Sequence, residues 1–229
     1  MDLLINGVSR FQGEIFPTKS ERFRDLAQNG QAPKTLMISC ADSRVVPELI
    51  TQSEPGDLFV CRNAGNIVPP YSRHPGGVSS AIEYAVVALG VEDIVICGHS
   101  DCGAMKAFQT PEALEIMPTV KEWLSHAHAA NEAVRACCAG KDAGEQTAAL
   151  IRENVIVQLT HLKSHPSVAA GLASGKLRLH GWVFDIESGE VEALDGATGL
   201  FHKADGGALS VADRGRQAAV PAAPIGAAA

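Results

Sequence analysis

The sequence predicts an α/β fold: a mostly parallel central β-sheet flanked by helices, with an N-terminal helical arm. Three observations predict it. Residues 35–40, 58–62 and 93–97 are short, nearly continuous apolar runs, as expected of strands covered on both faces. Between the last two, Val78, Ile82, Ala85, Val86 and Leu89 keep the 3.6-residue period of a helix, so strand, helix and strand follow one another as in a parallel βαβ unit. Residues 177–195 then change character. Leu177, Leu179, Trp182, Phe184 and Ile186, and after them Val191, Ala193 and Leu194, flank Ser188-Gly189-Glu190, which reads as a hairpin closing the sheet.

In chain order, residues 14–28 form an amphipathic helix with Ile15, Phe16, Phe23 and Leu26 on one side, the expected arm. The three strands follow, with a helix over 78–89 between the second and third. A longer helix is expected over 118–138, opened by Pro118 in its first turn, where the missing N–H costs nothing. Another spans 144–162, rich in Ala, Leu, Ile and Val. No Pro/Gly/Ser-rich linker divides residues 1–212, which are read as one domain. Residues 213–229 are Ala/Pro/Gly-rich with little to bury, and read as a disordered tail.

Composition narrows the function. The net charge of −7 and the scattered Lys and Arg argue against nucleic-acid binding. Met1-Asp2-Leu3-Leu4-Ile5-Asn6-Gly7 lacks the basic and apolar regions of a signal peptide. The longest apolar stretch, 85–91, is too short to span a bilayer. Six cysteines without an export signal suggest reduced thiols, so a cytoplasmic location is expected.

The most informative residues are Cys40, His99 and Cys102. They lie in Cys40-Ala41-Asp42-Ser43-Arg44 and Gly98-His99-Ser100-Asp101-Cys102-Gly103, each at or just past the carboxyl end of an expected strand. In an open α/β sheet those ends line the ligand crevice. Two thiolates and an imidazole suit Zn2+, and three protein ligands leave a fourth position open, the mark of a catalytic rather than a structural site. Cys61 and Cys97 fall in expected strands and read as core. The adjacent Cys137 and Cys138 read as bystanders, and no Cys-x-x-Cys supports a redox function.

The two ligand segments resemble those of the β-class carbonic anhydrases. So do Glu54-Pro55-Gly56-Asp57-Leu58-Phe59-Val60, Arg62-Asn63-Ala64-Gly65-Asn66, Gly76-Gly77, Glu83-Tyr84-Ala85, Glu153-Asn154-Val155, His165-Pro166 and Leu179-His180-Gly181-Trp182. The likeness covers residues 3–201 and is nearest to the bacterial branch that includes the carbonic anhydrase of cyanate-degradation operons. It implies a lyase that hydrates carbon dioxide reversibly to bicarbonate and a proton, by attack of zinc-bound hydroxide. Cys40, His99 and Cys102 would hold the metal.

The resemblance also implies roles around the metal. Asp42 would accept a hydrogen bond from the zinc-bound water and pair with Arg44; in a closed state Asp42 would become the fourth ligand. Gln31, Phe59 and Tyr84 match pocket positions of plant-type members, and Gly103 would add a backbone contact. Ala64 stands where plant-type members carry valine. Family members are dimers or multiples of dimers, with the pocket built from two chains. Some bacterial members bind bicarbonate beside the site with a tryptophan, an arginine and a tyrosine. Here the tryptophan position is Met37, which has no N–H to offer, while Arg62 keeps the arginine. Hydrolysis of carbonyl sulfide or carbon disulfide on the same fold is the nearest alternative function. A non-catalytic zinc module is opposed by the missing fourth ligand.

Overall fold

The computed structural model describes residues 1–74 and 76–204. Its centre is a six-stranded sheet in which residues 58–63, 35–40, 93–99, 178–184, 191–194 and 201–203 lie side by side in that order. The strands are β1 (Thr35–Cys40), β2 (Leu58–Asn63), β3 (Asp93–His99), β4 (Arg178–Phe184), β5 (Val191–Leu194) and β6 (Phe201–Lys203). The first four run parallel. The last two add antiparallel. The expected mostly parallel sheet and its closing hairpin are thus present, extended by β6, which three residues were too short to signal.

Alternation along β1 divides two apolar clusters. Leu36, Ile38 and Cys40 join Ile94 and Ile96 of β3 in the main core. Met37 faces the other way, into a small cluster with Val95 and Cys97, against which Trp182 and Phe184 pack. The main core is closed by α4 (Gly77–Glu83), α6 (Pro118–Leu124), α7 (His128–Cys137), α8 (Ala143–Lys163) and α9 (Pro166–Ala173). Short helices α3 (Pro47–Thr51) and α5 (Gly103–Lys106) follow β1 and β3.

Helix α8 opens with a capping box. The Asp142 carboxylate accepts from the Glu145 amide at 2.8 Å, and Glu145 returns a hydrogen bond to the Asp142 amide at 3.3 Å. Its Ile151 and Val155 lie on β3 at Gly98, and Val155 and Leu159 on β4 at Gly181. That approach requires glycine at 181. A Cβ there would sit 2.8 Å from Val155 Cγ1 and 3.0 Å from Leu159 Cδ1. Val155 is β-branched and stiff in a helix, so it cannot yield cheaply. Gly181→Ala is therefore expected to destabilise the fold by about 1–3 kcal/mol, read as a lower denaturant midpoint at unchanged slope. An unchanged midpoint would contradict this packing.

Three elements differ from the sequence expectation. The arm is longer: α1 (Asp2–Arg10) runs through a π turn into α2 (Phe16–Asn29), so it begins at residue 2 rather than 14. No residue of the arm is buried. Phe11, Phe16 and Phe23 gather on it with ring centroids 5.5–6.4 Å apart. Arg22 ties it to the body through Pro55 O at 2.9 Å and Asp57 at 2.8 Å, beside a Lys19–Glu54 ion pair. The helix expected over 78–89 loosens into a π turn at Tyr84–Leu89. The one expected over 118–138 tightens into a 3₁₀ turn at Ser125–Ala127, dividing α6 from α7. The expected tail at 213–229, and the domain's end at 212, lie outside the described residues.

Candidate metal centre

Both ligand segments leave the sheet at its carboxyl edge. Cys40 is the last residue of β1 and His99 the last of the adjacent β3. Asp101 then takes a left-handed φ of 59°, a conformation that aspartate tolerates better than most residues. The turn brings Cys102 to the start of α5. As a result Cys40, His99 and Cys102, all buried, hold their ligand atoms within 4.8 Å of one another; among the described residues they form the one such group.

The donor set fits a metal ion. His99 Nδ1 lies 2.8 Å from Ser100 O, and a carbonyl can only accept, so Nδ1 carries the proton. Nε2 is left with a lone pair, fully buried and without any hydrogen-bond partner. A carbonyl fixing one imidazole nitrogen while the other faces two thiols is the arrangement of a metal-binding histidine. The thiols are coupled. Cys40 is held well below the ordinary thiol range, first by the hydrogen bond from Cys102, with the Gly65 amide adding to it against the cost of burial. Cys102 is pushed up by facing the Cys40 sulfur and by burial. A divalent ion would displace any proton these thiols carry.

Charged groups surround this cluster in a fixed order. Asp42, two residues past Cys40, is gripped by Arg44 through Nε–Oδ1 at 2.9 Å and Nη2–Oδ2 at 2.8 Å. The Arg44 amide adds a third contact at 3.0 Å. Together these hold the Asp42 carboxyl far below the usual carboxylate range, the Arg44 side chain contributing most. Asp42 Oδ2 stands 3.9 Å from His99 Nε2. Arg44 is anchored in turn by Asp101 at 2.8 Å, and Asp101 also pairs with Lys106. Sequence reasoning missed Asp101 as a site residue. It stood between two ligands in the motif, but its partner is 57 positions away.

Arg62 also acts from a distance, donating to Cys40 O at 3.1 Å and Asp42 O at 2.7 Å. Its guanidinium is therefore engaged by the backbone. Met37 is buried in the apolar cluster with Phe184 packed against that cluster, so neither supplies a polar group there. Phe59 and Tyr84 meet with ring centroids 5.9 Å apart, Tyr84 half exposed. Gly103 opens α5, with nothing within 4 Å of where a Cβ would be. Gln31 lies exposed between α2 and β1. Cys97 is fully buried and Cys61 half-buried, both in strands, as expected.

Comparison with known proteins agrees with this geometry. The carbonic anhydrase family model matches residues 35–191. A carbonic anhydrase of Pseudomonas aeruginosa is 55% identical over 201 residues, covering 86% of this chain and 89% of that one. The structure of the β-carbonic anhydrase CcaA superposes with a TM-score of 0.86 at 43% identity, covering 90% and 92% of the two chains. A tetrameric β-carbonic anhydrase of Sordaria macrospora gives 0.71 at 31% identity, covering 88% and 98%. The fold, its buried Cys-His-Cys cluster and these likenesses thus define a lyase of the carbonic anhydrase type. The chain belongs to the carbonic anhydrase family, in its β class.

Proposed function

We propose that this protein hydrates carbon dioxide reversibly to bicarbonate and a proton at a zinc ion held by Cys40, His99 and Cys102. The observation that carries the proposal is the buried, unpartnered Nε2 of His99 facing two thiols beside a carboxylate fixed by arginine. Thiolate and imidazole ligands together select zinc over the harder cations. Bound there, zinc would supply a Lewis acid that makes water a nucleophile near neutral pH.

The residues of the chain do the rest. Asp42 stays ionised and is an acceptor only, so it orients the attacking water by accepting its hydrogen bond and does not take up its proton. Arg44 grips both oxygens of Asp42 and would restrain it from becoming a metal ligand itself, and Asp101 keeps Arg44 in place. The Phe59–Tyr84 pair offers an apolar wall to a small uncharged substrate, and Gly103 leaves its backbone open to approach. Parallel assays of carbon dioxide hydration and carbonyl sulfide hydrolysis at pH 8.5, with a metal count on the same sample, test the reading. Hydration with one zinc per chain is expected. Carbonyl sulfide turnover without hydration would reassign the substrate.

We further propose that the working unit is a dimer or a multiple of dimers, in which the arm of one chain lies on another. The apolar residues at the start of the arm stand out in solvent among the described residues, Leu3 84% and Leu4 69% exposed. Such docking would bring Gln31, at the arm's end, to a neighbouring chain's pocket. Deleting residues 1–28 is expected to lower the oligomer mass in light scattering and to cut activity; a fully active monomer would refute the arrangement. No helix among the described residues is long and apolar enough to cross a membrane. The six cysteines are all free in the structure, which suits the reducing cytoplasm.

A further inference from the structure

One peptide unit connects the metal centre to two helices that contribute no ligand. The Gly65 N–H donates to Cys40 Sγ at 3.4 Å. The carbonyl of the same peptide, Ala64 O, accepts from the indole Nε1 of Trp123 on α6 at 2.9 Å. The next carbonyl, Gly65 O, accepts from Asn154 Nδ2 on α8 at 3.0 Å. Both peptides flanking Gly65 are therefore pinned from outside the loop.

The surroundings leave Gly65 little freedom. Its φ of 77° is left-handed, and a Cβ would lie 3.2 Å from both Ala104 Cβ and Met105 Cε, just past Cys102. Asn154 is 1% exposed, and its amide orientation is fixed because Oδ1 accepts from Gln158 Nε2 at 2.8 Å. Gln158, fully buried, accepts in turn from the Val68 amide at 2.8 Å. The Asn154 and Gln158 side chains thus hold the loop carrying Gly65 from one face of α8.

A hydrogen bond to a thiolate draws electron density from sulfur and so weakens it as a donor to a bound metal. A peptide whose carbonyl already accepts a hydrogen bond is polarised, and its N–H donates more strongly. We propose that Trp123 is a positioning residue for the metal centre, setting the donor strength of the Cys40 sulfur through the Ala64–Gly65 peptide, with Asn154 fixing that peptide's direction. The inference rests on the Cys40–His99–Cys102 metal reading and deepens it.

The test uses the full-length protein with cobalt(II) as the metal, because thiolate-to-cobalt charge transfer reports on sulfur directly. Trp123→Phe keeps an aromatic ring beside His126 and removes the N–H donor together with part of the ring. The charge-transfer band is expected to move to longer wavelength, since an unrestrained thiolate is easier to ionise. Metal transfer to a chelator is expected to change by about three- to tenfold, less than the roughly 10–100-fold of direct ligand partners. A purely structural role for Trp123 would leave the band in place. A band that does not move in folded Trp123→Phe overturns the proposal. Should that variant not fold, Trp123→Leu, which also lacks the donor to Ala64 O, reads the same band, and no movement there overturns it equally. Absence of any charge-transfer band in the unsubstituted protein would instead show that no cysteine binds the metal, and both readings would fall.

Discussion

Cys102→Ser is expected to lose bound metal and carbon dioxide hydration together, with activity falling to the uncatalysed rate. The serine hydroxyl is a far poorer ligand at neutral pH than the thiolate it replaces, and two remaining protein ligands are too few for tight tetrahedral binding. Cys102 is 1% exposed and lies at the start of α5. The substitution nearly preserves shape, so the fold should survive and the loss can be assigned to the site. Metal analysis on the folded variant is the check. One zinc per chain with normal turnover would remove Cys102 from the ligand set.

Arg44→Leu has the second largest expected effect, a loss of about 10²-fold in turnover with metal content unchanged. Freed of Arg44, Asp42 Oδ2 starts only 3.9 Å from His99 Nε2 and can swing into the position that substrate water needs. Arg44→Lys should fall between, because lysine keeps the charge but loses the two-pronged grip on Asp42. The pH sign follows from the same pair. The Asp42 pKa is lowered in the folded protein, so its pairing is fully present above the ordinary carboxylate range and is lost only as pH falls well below it. A decline of activity between alkaline and neutral pH therefore does not arise from protonation of Asp42. In Asp42→Asn the neutral amide no longer favours Arg44 electrostatically; activity should drop while the shape of that decline is kept. A normal rate in Arg44→Leu would show that Asp42 needs no anchor.

Much of this molecule was legible in its sequence because the informative patterns are local. The apolar runs of β1 and β3 and the ligands at their ends occupy a few consecutive residues each, and a resemblance carried by several short motifs placed the chain in its family. What stayed hidden depends on long-range partners. Nothing near Asp101 announces that it holds Arg44, and nothing near Trp123 points to Ala64 O. Asn154 stands in one of the family motifs, but nothing local gives it or Gln158 a partner, although their spacing of four places them on one face of α8. The tightening at Ser125–Ala127 was invisible since apolar spacing continues on both sides of it. The first turns of the arm escaped because Gly7 and Gly13 are poor helix formers and read as breaks, although Leu4, Val8, Phe11 and Ile15 keep a helical spacing.

The most direct measurement of the central claim is a zinc titration of metal-depleted protein followed by stopped-flow carbon dioxide hydration at pH 8.5. Hydration should be absent at first, rise linearly with added zinc, and level off at one zinc per chain. Full hydration before any zinc is added, or no hydration after one zinc has bound at Cys40, His99 and Cys102, would contradict the account.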